Sequence, residues 1–176
     1  MNRARIAGIF YLVTFVTGIF ALLVRSKLGM AAGLVAGACY IAVTILFYGL
    51  FKPVNRRLSL LAACVSLVGI AAGPLQVKAV NPLVFFGFYC LLIGYLIFRS
   101  TFLPRILGAL MAFGGLGWLT FLSPPLAHVL SPYNLAPGML GEGALTLWLL
   151  VMGVNEQSWK KQAGARERRS APAVSL

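Results

Sequence analysis

One acidic residue, Glu142, lies inside an otherwise uncharged apolar run between residues 135 and 154. An ionised carboxylate in an apolar environment is costly unless it is paired or hydrogen-bonded. Such a side chain is therefore expected to face a protein interior or a water-filled cavity, where it could hold a proton or a cation. The alternative is structural, with Glu142 near the outer end of its helix and solvated or hydrogen-bonded to its neighbours. Glu142 is the first candidate polar or proton site.

The single histidine, His128, is the second candidate polar or proton site, and it follows a Pro124-Pro125 pair. An imidazole titrates near pH 6.5, so His128 could pair with Glu142 or sense external pH. The alternative is an ordinary polar residue at the boundary between water and an apolar phase. One histidine and one glutamate are fewer than the three protein ligands typical of catalytic zinc, so no metal site is predicted.

Complete catalytic and cofactor-binding motifs are absent from the sequence. The chain contains no aspartate and one histidine, so its serines lack the partners of a catalytic triad. No G-x-G-x-x-G or Walker motif occurs, and no pair of histidines is present for haem. Three cysteines stand alone in separate apolar runs and are interpreted as small core residues: Cys39, Cys64 and Cys90. The sequence therefore predicts no enzyme and no cofactor.

Long apolar runs carry these residues. The chain is 60% hydrophobic and 10% charged, with a mean hydropathy of +0.92, whereas soluble proteins average roughly 25% charged residues. The runs are close to the roughly 20 residues that an α-helix needs to cross a bilayer. They predict an all-α membrane protein, a bundle of about six transmembrane helices within residues 1–154. The predicted spans are 6–24, 28–51, 58–77, 82–98, 106–127 and 135–154.

The basic residues predict how this bundle is oriented. Short loops rich in Lys and Arg stay in the cytoplasm. With the N-terminus inside and an even number of spans, twelve of the fifteen Lys and Arg residues are cytoplasmic. The three on the outer side are Arg25, Lys27 and Lys78. Both termini are therefore expected in the cytoplasm, and because the charges lie between apolar runs, nucleic acid is not a predicted partner.

Residues 155–176 form a basic tail that is expected to be disordered and cytoplasmic. Trp159 is interpreted as an anchor at the inner headgroup layer. The basic residues of the tail are hypothesised to bind anionic lipid of the inner leaflet, at up to about 1 kcal/mol each. The alternative is that they only fix the orientation. These residues are Lys160, Lys161, Arg166, Arg168 and Arg169.

Glycines four residues apart predict where helices approach closely, because small residues replace the hydrophobic driving force in lipid. They lie in the second and third predicted helices: Gly29, Gly33, Gly37, Gly69 and Gly73. The contact they predict is either within one chain or a homodimer face. Pro74 is expected to kink the third helix.

Several segments, in order along almost the whole chain, resemble the bacterial membrane family called domain of unknown function 4386. They are Ala4-Arg5-Ile6-Ala7-Gly8, Lys52-Pro53-Val54-Asn55-Arg56-Arg57-Leu58, Leu60-Leu61-Ala62-Ala63, Gly94-Tyr95-Leu96 with Arg99-Ser100, Leu103-Pro104-Arg105-Ile106-Leu107-Gly108, Gly141-Glu142, Trp148-Leu149-Leu150-Val151 and Gly153-Val154. The resemblance implies a multi-pass protein of the bacterial cytoplasmic (inner) membrane and implies no activity. Family members carry longer outer segments, which this chain lacks.

Three functions from different classes are compatible with these observations. The first is a non-catalytic structural or regulatory membrane protein that acts through a membrane partner or as a homo-oligomer. The second is a small transporter or ligand sensor with a site near Glu142. The third, less favoured, is a membrane enzyme acting on a lipid or a quinone. A polar cavity reaching the middle of the membrane would favour the second.

Overall fold

In the computed structural model, the described residues are 2–24, 26–73 and 81–170, and they form α-helices and short 3-10 segments without strands. The predicted features at Arg25, Pro74 and Lys78 and the end of the tail lie outside these residues. The α-helices are α1 (Asn2–Leu23), α2 (Lys27–Phe51), α3 (Arg56–Ala72), α4 (Pro82–Arg99), α5 (Arg105–Leu119), α6 (Pro124–Leu130), α7 (Ala136–Val151) and α8 (Glu156–Ser170).

Asparagine side chains begin three of these helices by accepting hydrogen bonds from backbone N–H groups that have no partner within the helix. Asn55 Oδ1 accepts from the N–H of Arg57 at 3.1 Å and from that of Leu58 at 3.2 Å at the start of α3. Asn81 does the same for α4, where Pro82 occupies the first turn. Asn155 is the third and begins α8.

Six helices form a closed ring. The helices α1 to α5 pack in chain order, α5 packs against α7, and α7 returns to α1. The connections between α1 and α2, α2 and α3, and α4 and α5 are short, so these neighbours run antiparallel. The interior is filled by fully buried side chains, among them Tyr11, Phe47, Phe51, Tyr89, Ile93, Leu96, Met111, Leu145 and Leu149.

The predicted fifth span, 106–127, is wrong at its C-terminal end. The helix α5 stops at Leu119, a 3-10 turn follows over Thr120–Leu122, and a new helix begins at Pro124. The break occurs because Ser123 has an extended backbone, with φ −116° and ψ 102°, and Pro124 has no N–H to continue a helix. The sixth span is also shorter than predicted.

The sixth span, predicted over 135–154, is α7, and Gly153 lies beyond its end. The N–H groups of Met152 and Gly153 both donate to the carbonyl of Trp148, at 2.9 and 3.0 Å. Gly153 has φ +69°, a left-handed conformation that commonly ends helices because glycine adopts it without a steric penalty. The chain turns sharply here, and the axis of α8 lies at 103° to that of the preceding helical segment.

The predicted disorder of the tail is wrong for residues 156–170, which form α8. The N–H of Ser158 donates to Asn155 Oδ1 at 3.0 Å, and Glu156 lies in the first turn, where a negative charge favours a helix. A polar segment of this kind would be marginal alone, because most helical stability in proteins comes from tertiary contacts. The bundle supplies those contacts.

Two side chains fasten α8 across one end of the ring. The Trp159 indole Nε1–H donates to the carbonyl of Leu50 at 2.9 Å. Gln162 donates to the carbonyl of Arg99 at 3.2 Å and accepts from the backbone N–H of Thr101 at 3.1 Å. The helix α8 therefore joins the end of α2 to the connection between α4 and α5.

The exterior of the ring is apolar, as expected of a membrane protein. Four helical segments are long and apolar enough to cross a bilayer, or up to five if the bent pair of α7 with α8 is one span. The remaining two ring helices, α3 with 17 residues and α7 with 16, are about 26 and 24 Å long, short of the roughly 30 Å hydrocarbon layer. Several large apolar side chains on the outside are more than half exposed, as at Leu34 (65%) and Ile45 (63%).

Candidate functional site: a buried carboxyl group where four helices meet

Glu142 lies in the interior of the ring and is 3% exposed. It is in the second turn of α7, and the glycines that precede it allow α5 to approach. A Cβ atom at Gly138 would overlap the indole ring of Trp118, and one at Gly141 would overlap the carbonyl of Leu110. These two glycines therefore leave space for α5 and for the indole that reaches Glu142.

Three donors from three other helices converge on the Glu142 carboxyl group. Tyr11 of α1 donates its hydroxyl to Oε2 at 2.9 Å, and Trp118 of α5 donates its indole N–H to Oε1 at 2.8 Å. The thiol of Cys90, on α4, lies 3.9 Å from Oε1 and is a weaker donor. Both carboxyl oxygens thus have partners, which removes much of the cost of burying them.

Further hydroxyl groups surround this carboxyl group. The rings of Tyr11 and Tyr40 have centroids 5.8 Å apart, and those of Tyr40 and Tyr89 are 5.9 Å apart. Within the described part of the chain, the hydroxyls of Tyr40, Tyr89 and Thr146 make no hydrogen bond of good geometry. Buried polar groups are normally satisfied, so these hydroxyls are exceptions inside the ring.

A cavity of about 530 Å³ lies beside this cluster, between α2, α3 and α4. Its wall is mostly apolar and includes Gly37, Ile70 and Phe86, with the polar residues Tyr40 and Ser66. Trp118 also lines it. One of the three donors to Glu142 is thus part of the cavity wall, although Glu142 itself is not.

His128 does not take part in this site. It lies on the exposed side of α6. None of the hydrogen bonds found among residues 2–24, 26–73 and 81–170 joins it to Glu142. The same residues contain no group of three His, Cys, Asp or Glu side chains able to hold a metal ion.

Three of the predicted packing glycines face a neighbouring helix: α1, α3 or α4. A Cβ atom at Gly33 would lie 3.7 Å from Ala21, and one at Gly37 would lie 3.9 Å from Ile70. Gly69 faces Phe85 of α4 instead, and a Cβ atom at Gly69 would lie 2.9 Å from the Cβ atom of Phe85. The other two meet only nearby backbone: Gly29 against Val24, and Gly73 against Ile70 of its own helix.

The glycines that bring α4 and α5 into backbone contact were not predicted. They are spaced by seven residues on α4 and α5: Gly87, Gly94, Gly108 and Gly115. A Cβ atom at Gly94 or Gly108 would lie 2.8 Å from the carbonyl oxygen of the other. The repeat of seven in two consecutive apolar runs was a signal present in the sequence.

The predicted lipid-binding residues of the tail lie on α8. Lys160, Lys161 and Arg168 are exposed, and Arg166 is half-buried. The side chain of Arg169 lies outside the described residues. Because α8 is fastened to Leu50 and Arg99, these charges lie at the same end of the ring as the basic residues of the loops.

Comparison with known proteins finds a match to a family whose function is unknown. Residues 76–153 match the family described as Domain of unknown function (DUF4386). The predicted resemblance is confirmed over this part of the chain. An uncharacterised protein from Archaeoglobus fulgidus is 27% identical over 127 residues, which cover 64% of this chain and 76% of that protein. No solved structure matches the chain significantly. The matched segment contains Cys90, Trp118 and Glu142, three of the four residues of the carboxyl cluster.

Proposed function

We propose that this membrane protein binds a small, largely apolar molecule carrying one hydrogen-bonding group, and that its role is ligand sensing rather than catalysis. The observation that carries the proposal is the double position of Trp118, which lines the cavity and donates to Glu142 at 2.8 Å. A ligand that displaces this indole changes the hydrogen bonding of the buried carboxyl group, and through it the contacts of α1, α4 and α7.

The cavity has the properties of a site for such a molecule. Its volume of about 530 Å³ falls within the roughly 300–1,000 Å³ of small-molecule sites, which are mainly apolar with a few polar groups. Thr14, a half-buried residue of α1 that lines the cavity, has a hydroxyl oxygen able to accept a hydrogen bond. An apolar wall disfavours transport of an ion or a sugar.

Fluorescence of Trp118 tests this proposal. The chain has three tryptophans, so the double variant Trp148→Phe, Trp159→Phe leaves Trp118 as the reporter. A bromoalkanol of about ten carbons is the probe, since it has a volume that fits a site of this class and its bromine quenches nearby indoles. We expect quenching that saturates with probe concentration.

Glycine variants separate the cavity from the surrounding detergent. Gly37→Leu places a side chain in the cavity and should abolish the saturable quenching. Gly18→Leu is the matched control, since a Cβ atom there meets nothing within 4 Å and Gly18 does not line the cavity. Equal, non-saturating quenching in all three proteins would contradict a ligand site.

A structural role is the second candidate, and a specific observation favours it. The bond from Tyr11 to Glu142 joins α1 to α7, the first and last helices of the ring. The carboxyl group then stabilises the contact that closes the ring. The protein itself supports a membrane partner or a second copy of itself. In this case the cavity is filled by lipid tails and has no selectivity.

For the topology, we propose that all six ring helices cross the cytoplasmic membrane with both termini in the cytoplasm. The closed ring supports this, because α3 and α7 pack beside the longer helices. Contacts that place basic segments at one end of the ring also support it. One of them is the hydrogen bond that the Arg5 guanidinium donates to the carbonyl of Val151 at 3.5 Å. Reporter domains fused within α6 and after α8 should report opposite sides, and the same side for both would refute the arrangement.

A further inference from the structure

A second concave site lies at the basic end of the ring, away from the cavity at Trp118. It is a groove of about 530 Å³ between α1 and α2, closed at one end by α8. Its apolar wall includes Ala7, Ile45 and Leu46, and its closed end carries Arg3 and Trp159. The groove is therefore apolar along its length and basic and aromatic at its end.

The groove is held open by the way the helices are fixed around it. The indole of Trp159 donates to the carbonyl of Leu50, which holds its ring at the closed end of the groove. A Cβ atom at Gly49 would meet nothing within 4 Å, which leaves a space along α2. The side chain of Arg3 is exposed and remains able to bind an anion.

We infer that this groove binds an anionic phospholipid of the inner leaflet, with an acyl chain along α2 and the phosphate group at Arg3. Tryptophan and basic side chains mark the headgroup level of membrane proteins, and here both stand at the end of an apolar slot. The site does not depend on the ligand proposed for the cavity at Trp118.

Charge complementarity selects the anionic lipid as occupant. Lys160 and Lys161 follow Trp159 directly and are exposed on α8. The acidic residues of α8 are Glu156 and Glu167, against twelve basic residues predicted at this end of the bundle. A basic residue near a negatively charged membrane surface contributes about 1 kcal/mol, which is roughly fivefold in affinity. A zwitterionic lipid gains little from this excess of positive charge.

Native mass spectrometry of the full-length protein tests the inference, with phosphatidylglycerol and phosphatidylcholine of equal chain length as probes. We expect the wild type to retain phosphatidylglycerol preferentially. Arg3→Gln should weaken its binding roughly fivefold, as expected for one basic residue. Lys27→Gln, at the opposite end of α2, is the charge control and should leave binding unchanged.

Variants of the groove separate a defined site from general attraction to the basic end. Gly49→Leu fills the slot and should abolish retention of the lipid, whereas Gly18→Leu, also with open space around its Cβ atom, should not. Arg3→Gln changes an exposed side chain and keeps the test valid if Gly49→Leu fails to fold. Equal retention of both lipids would overturn the inference. So would a loss confined to Lys160→Gln and Lys161→Gln, because the lipid would then bind α8 without the groove.

Discussion

Two contacts between neighbouring helices, α4 with α5 and α2 with α3, both contain glycine but have opposite character. In the first, Gly94 and Gly108 face each other so closely that a Cβ atom on either would lie 2.8 Å from the other's carbonyl oxygen. In the second, the nearest atom to a Cβ at Gly37 is 3.9 Å away, on Ile70. One pair of helices is in backbone contact, and the other borders a cavity.

Different interactions hold the two contacts together. Between α4 and α5, the backbones of the two helices come into contact at two places seven residues apart. Gly94 faces Gly108 at one place, and Gly87 faces Gly115 at the other. Between α2 and α3, the hydroxyls of Thr44 and Ser66 form a buried hydrogen bond of 2.7 Å beside the cavity, which Ser66 lines. In these two contacts, glycine produces close packing where it faces another backbone. Where it faces open space, it leaves room for a ligand.

The largest expected effect comes from adding a side chain to the close contact. Gly94→Val should destabilise the protein by about 3 kcal/mol, near the top of the range for overpacking, because backbone on α5 must move. Gly37→Val should change stability by less than about 0.5 kcal/mol, since a Cβ atom there makes an ordinary contact. Thermal unfolding in detergent measures both. Similar losses for the two variants would remove the distinction between the contacts.

The carboxyl cluster lies on the closely packed side of the ring, and removing its acceptor is expected to have the next largest effect. Glu142→Leu leaves the Tyr11 hydroxyl and the Trp118 indole without their acceptor, which should cost about 2 kcal/mol. Glu142→Gln keeps an oxygen acceptor and should lose less than half as much. Thermal unfolding in detergent measures the stability of both variants. A Glu142→Leu protein as stable as the wild type would show that the cluster contributes nothing to closure of the ring.

The smallest effect is expected at the polar pair beside the cavity. Ser66→Ala removes one partner of the 2.7 Å bond, but Thr44 keeps its bond to the carbonyl of Tyr40 at 2.9 Å. The loss should be about 0.5–1 kcal/mol. A double-mutant cycle with Thr44→Val isolates the pair, and zero coupling energy would mean that α2 and α3 are held by apolar contacts alone.

The helices of the ring could be predicted because each apolar run is long and bounded by charges or prolines. The helix α4, predicted over 82–98, is observed over Pro82–Arg99, with Asn81 as its cap. The Pro124-Pro125 pair after Ser123 indicates in the sequence that the fifth helix ends or bends there, as the structure has it, although the predicted span ran on to residue 127. The helix α8 was missed because its sequence is polar, and the contacts of Trp159 and Gln162 that support it join residues far apart in the chain.

The sequence by itself determined that the chain is apolar, helical and basic at one end, and that Glu142 is isolated in an apolar helix. These are local properties, since hydropathy and charge are carried by each segment regardless of its neighbours. Only the tertiary structure decided which groups meet the carboxyl group. Tyr11, Cys90 and Trp118 are 131, 52 and 24 residues away from it. Helical periodicity shows which face of a helix is buried. The partner of that face depends on the order of the helices around the ring, because contacts between helices are determined by packing and not by spacing along the chain.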